Sequence, residues 1–341
     1  MKILFAAQDP GGANALVPVI KKIRRKEAIK IFSIKFASAI FQKETLIHQD
    51  CTVMKAAAFK KEFASFAPDV IMTGTSIGDS VEKRLVLLAK KKRIPTISII
   101  DFWSNYGLRF SDSDKPNGLK YLPDIVCVVD ERMKYGCIKE GIPVNRIRIT
   151  GNPYFAYCAK KNQSSKKEKN QILFISQPHS VPPYNVFPFD EFQVLRDLLA
   201  YSHINKFEKI IIKLHPKEEA SKFRNVLFNE RNPIPIEVKK TTDLYRLIGV
   251  SRLIFGMNST ALIEASLAGK SVISYQPGLE KRKDPLPDHV KKLYKRETLY
   301  TYLDVFLKKK KGEKMIITKN RLTSTNATAD KIYRLLLKTK P

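Results

Sequence analysis

Acid is what this chain most conspicuously lacks. Asp and Glu together number 33 against 62 Lys and Arg, a formal net charge of +29. A field of that sign attracts polyanions such as nucleic acid, anionic membrane faces or phosphorylated substrates, and it does not bear on fold. Long apolar runs are missing too, so no segment reaches the ~20 residues needed to span a bilayer. The four cysteines (Cys51, Cys127, Cys137, Cys158) have no C-x-x-C spacing and no histidine at zinc-finger distance. A zinc site is not expected, and Cys127, inside an apolar run, reads as a small buried hydrophobe. No metal dependence and no cofactor are expected. Met1-Lys2 leads straight into a strand rather than a charged, apolar and cleavable leader. The expectation is a cytoplasmic protein that touches a membrane only peripherally, at its inner face.

What the chain does have is ordinary core material, with 43% hydrophobic residues over 341 positions. That length suggests two domains. Apolar strand-like runs alternate with helix-patterned stretches. Strands are expected at Ile3–Ala7, Lys30–Phe36, Asp69–Thr73, Thr96–Ile100 and Ile125–Val129, with helices at about Ala13–Arg25 and at Asp79–Lys92. Such alternation predicts βαβ crossovers and parallel sheets. The rhythm stops at residues 159–170, a polar and charged stretch that reads as a linker. It restarts with strands at Gln171–Ile175, Ile210–Leu214, Ile234–Val238, Arg252–Phe255 and Ser271–Tyr275, and Ala327–Lys338 reads as a terminal helix. The expected division is an N-terminal acceptor domain over 1–158, the linker, a nucleotide-sugar-binding domain over 171–326 and a helix over 327–341. Both domains are expected to be Rossmann-like α/β folds facing a central cleft.

In the second half, Gly256-Met257-Asn258-Ser259-Thr260 ends a strand and opens a helix at Ala261–Ala268, which stops at Gly269. Unpaired helix-start amides, a glycine that admits close approach and two hydroxyls together suit a phosphate. The competing reading makes Asn258 or Ser259 a plain helix cap. Glu264, just over a turn further on, is placed to accept bonds from ribose hydroxyls. Lys213-Leu214-His215-Pro216 closes another strand. Proline cannot continue the ladder, so His215 falls at the edge where open α/β sheets bind ligands. There it can neutralise or protonate a departing nucleotide, or be structural.

Taken together, K-x-H-P, then a strand, G-x-x-S-T, E-A, a glycine and a final apolar strand resemble the HP and Ser motifs of bacterial sialyltransferases. Capsule-polysaccharide transferases and CDP-glycerol glycerophosphotransferases have a similar layout, a GT-B architecture of two Rossmann-like domains. The segment Ser98–Pro153, with "LPDIVCVVDE" and "GIPVNRIRITGNP", is similar to lipid A disaccharide synthase. These resemblances imply that His215, Ser259 and Thr260 contact the leaving phosphate and that Glu264 binds ribose, with Lys213, Gly256 and Asn258 completing the nucleotide site. The chain departs from the CDP-glycerol pattern in lacking the acidic-aromatic stretch before the Ser pair. It also lacks the S-G-G-x-x-E-E of non-hydrolysing UDP-GlcNAc 2-epimerases, which disfavours epimerisation.

Three loops of the first half are candidates for the acceptor side. Gln8-Asp9-Pro10-Gly11-Gly12-Ala13-Asn14 is a poor dinucleotide fingerprint but makes a tight turn, and Asp9 is either a helix-entry acid or a catalytic carboxylate. Thr73–Asp79 is rich in Gly, Ser and Thr. Asp101–Phe110 holds the only tryptophan. Its Trp103 and Tyr106 could stack on sugars, while Asn105 and Arg109 could bind polar groups, a carboxylate or a phosphate. Resemblance to the sialyltransferases would make Asp101 the base, narrowly ahead of Asp9. The same loop could instead pack its aromatics into a core.

Basic runs at Lys21–Lys26, Lys90–Arg93, Lys291–Arg296 and Lys308–Lys311 are dispersed. They suit attraction to anionic lipid better than base reading, with Leu293–Tyr294 and Phe306–Leu307 as shallow membrane contacts. The expected enzyme moves a sugar from a nucleotide donor to a surface glycan or lipid-linked acceptor, CMP-linked acidic sugars first and UDP-sugars next. No nucleic-acid partner is expected. A CDP-glycerol-type polyol-phosphate transferase and a basic nucleic-acid-binding protein are the alternatives.

Overall fold

The computed structural model describes residues 1–115, 118–155, 157, 168–182, 184–229, 232–309 and 325–339. The chain divides into two units, Met1–Tyr157 with Thr323–Pro341, and Cys158–Leu322.

Unit 1 is built in the order β1 (Lys2–Ala7), α1 (Pro10–Ile23), β2 (Ala28–Ser33), α2 (Phe36–Lys43), β3 (Gln49–Asp50) and α3 (Ala56–Phe66). There follow β4 (Val70–Thr73), α4 (Val81–Lys92), β5 (Thr96–Ile99), β6 (Ile125–Val128), α5 (Glu131–Lys139) and β7 (Ile147–Ile149). Its seven strands order β3-β2-β1-β4-β5-β6-β7 and pair in parallel throughout. Parallel strands are covered on both faces, which is why β1 reads as an unbroken apolar run. Ile3 and Phe5 pack on the α1 side, Leu4 and Ala6 on the α3–α4 side.

Unit 2 runs β8 (Lys169–Ile175), α6 (Glu191–Leu199), β9 (Lys209–Lys213), α7 (Arg224–Asn229), β10 (Ile236–Lys239), α8 (Leu244–Val250) and β11 (Ser251–Gly256). It continues with α9 (Thr260–Leu267), β12 (Ser271–Tyr275), β13 (Lys291–Leu293) and α10 (Arg296–Lys308). Its parallel sheet orders β10-β9-β8-β11-β12-β13. The last helix, α11 (Thr325–Lys338), returns to unit 1, where Ile332 and Leu336 join the core around α1. In each sheet the strand order reverses beside the first strand, at β1/β4 and at β8/β11. Doubly wound sheets take ligands at such a switch point, outside the carboxyl ends of the strands.

Several expectations need correction. Helix α1 begins at Pro10, not near Ala13, because Pro fits the first helical position and Asp9 enters it with extended backbone. Gly11, Gly12 and Asn14 are therefore helical rather than in a free loop. The strand expected at Lys30–Phe36 is Ala28–Ser33, and Phe36 opens α2. The basic run at Lys291–Arg296 contains β13, with Leu293 buried, and Phe306 is also buried in the unit 2 core. Leu293–Tyr294 and Phe306–Leu307 thus pack inward and are not membrane contacts. Of the linker expected at 159–170, 159–167 lie outside the described residues and Lys169 already belongs to β8. Cys158, Lys310 and Lys311 also lie outside them. Gly269 does end α9 with φ of 73°, the left-handed cap that glycine favours. Among the described residues no helix is long and apolar enough to cross a membrane.

Candidate functional site

At the switch point of unit 2, two loops are tied together. Asn258, on the loop after β11, donates its amide to Gln177 Oε1 at 3.0 Å and bonds through its side chain to His179 Nε2 at 2.9 Å. Gln177 and His179 follow β8. His179 is buried, with Phe187 and Phe189 packed edge-on to its ring, and its Nδ1 lies 3.3 Å from the Tyr184 carbonyl. Ser259 caps α9, accepting the Ala261 amide at 3.2 Å. The capping role and the anion role are compatible, because the hydroxyl hydrogen remains a donor.

His215 stands where β9 ends. Its Nδ1 accepts the Lys217 amide at 3.2 Å, which assigns the proton of the neutral ring to Nε2. Burial, then Lys217, Lys213, His179 and Lys222, push its pKa down to about 4. The ring is thus a neutral N–H donor at pH 7, which favours hydrogen bonding over charge neutralisation. That depression also has a sign for stability. Between about pH 6.5 and 4 the unfolded chain takes up a proton that folded His215 refuses. Stability from this group is full above 6.5 and is lost as pH falls towards 4. Urea unfolding at pH 7, 6 and 5 should show a shallower loss in His215→Gln than in wild type; equal slopes would refute the assignment.

Beneath the loop lies a charged scaffold that the sequence reading missed. Glu218 accepts the His215 amide at 2.7 Å and the Ser176 hydroxyl at 2.8 Å. Glu191 accepts both the amide and the hydroxyl of Ser180. The Lys222 ammonium pairs with Glu191 and with Glu218. One cation, its side chain 13% exposed, thereby links the loops after β8 and β9 to the start of α6.

Other members of the expected nucleotide site are placed differently. Lys213 Nζ bonds the carbonyls of Leu214 and Lys240, at 3.0 and 2.8 Å. Gly256 gives close approach to a neighbouring strand: a Cβ there would lie 3.0 Å from the Ile175 carbonyl oxygen. Glu264 is buried and accepts the Tyr245 hydroxyl at 2.9 Å. Thr260 is half-exposed at the first position of α9.

In unit 1, three loops converge at the β1/β4 switch point. The backbones of Gly12 and Gly74 abut so closely that a Cβ on Gly74 would sit 2.6 Å from the Gly12 Cα. A Cβ on Gly11 would overlap Asp101 Oδ2, so this carboxylate lies on the first turn of α1. Helix-start amides favour negative charge there. Arg109 fixes Asp101: its Nη1 donates to Asp101 Oδ1 at 3.0 Å and to Thr75 Oγ1 at 3.0 Å, and its Nε to the Ser104 carbonyl at 3.2 Å. Asp9 enters α1 without a capping bond from its side chain. Its amide donates to Ser76 Oγ, which itself donates to Glu82 at 2.8 Å. Asp101 is therefore held by Arg109 against the first turn of α1, and Asp9 immediately precedes that helix.

The aromatic loop packs inward. Trp103 is 5% exposed, gives its indole N–H to Asp130 and stacks on Phe155; Tyr106 lies against Gly136 of α5. Neither ring is displayed to a sugar, which corrects their assignment as acceptor contacts. Asn105 is exposed at φ of 56°, and Asn14 is half-buried on α1. The sequence does hold a D-x-D spacing, Asp112-Ser113-Asp114, which the expectation of metal independence leaves out. Asp112 accepts the Tyr121 hydroxyl at 2.5 Å and pairs with Lys120 at 3.1 Å.

No family model matches the sequence, and no curated protein matches it either. Solved structures do match. A UDP-GlcNAc 2-epimerase of Methanocaldococcus jannaschii, in complex with UDP-GlcNAc and UDP, aligns at TM-score 0.69 with 15% identity, over 99% of this chain and 100% of that one. The Neisseria meningitidis UDP-GlcNAc 2-epimerase bound to UDP-GlcNAc gives 0.67 and 15%, over 99% and 100%. HepE of Anabaena in complex with UDP-glucose gives 0.60 and 12%, over 100% and 95%. At these identities the likeness concerns the fold: the chain has two Rossmann-like domains of the GT-B type, the architecture that such epimerases share with glycosyltransferases.

Proposed function

We propose that the protein is a nucleotide-sugar glycosyltransferase whose donor half is unit 2 and whose acceptor half is unit 1. The observation that carries this reading is the His179–Asn258 bond, which ties the loops after β8 and β11 together beside the Ser259 cap, with His215 at the end of the neighbouring strand β9. His215 Nε2–H, the Ser259 and Thr260 hydroxyls and the start of α9 would hold the phosphate of the leaving nucleotide. As that oxygen gains charge, fixed donors stabilise it without reorganising. Asp101, oriented by Arg109, would take the proton of the acceptor hydroxyl. UDP-sugars are placed ahead of CMP-linked sugars as donors, because the ligands in the similar structures are UDP and UDP-sugars. The acceptor would be a surface glycan or a lipid-linked sugar.

Epimerisation at the nucleotide-bound sugar is the second reading, favoured by the epimerases among the similar structures and opposed by the missing S-G-G-x-x-E-E. Thermal-shift measurements with UDP, CMP, CDP and GDP come first, since a ligand of the native state raises its melting point. Proton NMR of the preferred nucleotide-sugar then separates the chemistries. Change at the sugar without acceptor means epimerase, and acceptor-dependent release of nucleotide means transferase. Silence with all four nucleotides would sink both.

A further inference from the structure

Unit 1 carries a groove between β7 and α11 that neither half of the proposed site uses. Arg148 and Ile149 line it from the strand, and Lys331, Arg334, Leu335 and Lys338 from the helix. Residues three and four apart are neighbours on a helix, so the three cations of α11 share one face. The opposite face is anchored by Ala329, Ile332 and Leu336, all buried. Arg148 is tethered in turn, its Nη1 on the carbonyls of Asn145 at 2.6 Å and Ile147 at 2.9 Å.

The pairing pattern along α11 differs between its two sides. Towards α1 its polar groups are matched: Asp330 pairs with Lys22 at 2.6 Å, and Tyr333 donates to Glu27 at 2.5 Å. Towards the groove they are not. None of the four cations has an ion-pair partner among the described residues, and no carboxylate lines the groove. Four like charges held on fixed supports repel one another, and an extended array of negative charge relieves that repulsion. The groove floor is apolar at Ile149 and Leu335, and Leu337 on the same helix is 45% exposed.

We propose that this groove docks the protein on an anionic phospholipid bilayer, with lipid phosphates on Arg148, Lys331, Arg334 and Lys338 and the apolar floor of Ile149 and Leu335 facing the acyl boundary. Interleaved cations and apolar side chains fit a surface that is anionic outside and oily beneath. Nucleic acid offers the phosphates without the oily layer, and among the described residues no aromatic ring lines the groove for base stacking. None of the four basic runs that stand out in the sequence contributes to it.

The test is sedimentation with phosphatidylcholine vesicles, with and without phosphatidylglycerol, at fixed salt. The full-length chain is compared with Arg334→Glu/Lys338→Glu and with Lys91→Glu/Lys92→Glu, which changes net charge equally at the exposed end of α4. Wild type should bind only the phosphatidylglycerol vesicles. The groove variant should bind at least about 30-fold more weakly, and the α4 variant within a few-fold of wild type. Hydrogen exchange of α11 and of residues 148–150 should slow on vesicles. Equal losses in both variants, or binding that ignores phosphatidylglycerol, would overturn the proposal. A groove variant that loses RNA affinity as steeply as vesicle affinity would reassign the surface to nucleic acid.

Discussion

Replacing His215 with alanine should lower turnover about 10²–10³-fold, the cost of removing one preorganised donor to a developing oxyanion. The reasoning starts from the ring itself. Its Nδ1 is occupied by the Lys217 amide, so the neutral ring has Nε2–H to give. Burial and the surrounding cations hold the pKa near 4, so that donor persists from pH 5.5 upward. His215→Gln keeps an N–H and should recover part of the loss, which alanine cannot. Because the contact matters most as charge builds on the leaving phosphate, kcat should fall more than KM rises. A His215→Ala enzyme turning over at the wild-type rate with the donor that wild type uses would remove His215 from the mechanism.

Lys222→Met should be the most destabilising single change in unit 2, at about 3–5 kcal/mol. The Glu191 and Glu218 side chains are 0% and 1% exposed, and both pair with the Lys222 ammonium. Methionine keeps the unbranched stem as far as Cε but leaves two carboxylates facing each other without a cation. Urea unfolding followed by far-UV circular dichroism measures the loss. Glu218 also holds the His215 amide, so turnover in folded Lys222→Met should fall as well. Replacing Glu191 and Glu218 with glutamine alongside Lys222→Met should restore much of the stability, since the uncompensated charges are then gone. A single variant as stable as wild type would mean that the carboxylates are satisfied in some other way.

Legibility in the sequence followed burial. Ile3–Ala7 is an unbroken apolar run, and Ile210–Leu214 and Ser271–Tyr275 are mostly apolar, because parallel strands are covered on both faces; all three fall within a residue of the observed strands. Elements without that signature escaped. β3 is the two residues Gln49–Asp50 at a sheet edge, β13 is masked by its lysines, and α3 buries only Phe59 and Phe63 among exposed alanines and lysines. The position of His215 was readable because Pro216 marks a strand end. Pro178-His179, separated from β8 by Ser176 and Gln177, carries the same kind of signal. Glu218 and Lys222 stand four apart, but no spacing in the sequence foretells that Glu191, a whole βα unit earlier, meets the same ammonium. Trp103 and Tyr106 misled for the converse reason: a loop rich in aromatics looks displayed, yet Asp130 and Gly136 draw these two inward.

Trp103 has a practical consequence. It is the only tryptophan of the chain and belongs to unit 1, shielded between Phe155 and its bond to Asp130. Emission excited at the red edge, where tyrosine does not absorb, therefore originates from one chromophore and follows the integrity of one half of the molecule, whereas backbone dichroism sums both. Denaturation curves from the two signals, recorded on one sample, would coincide only if the halves melt together.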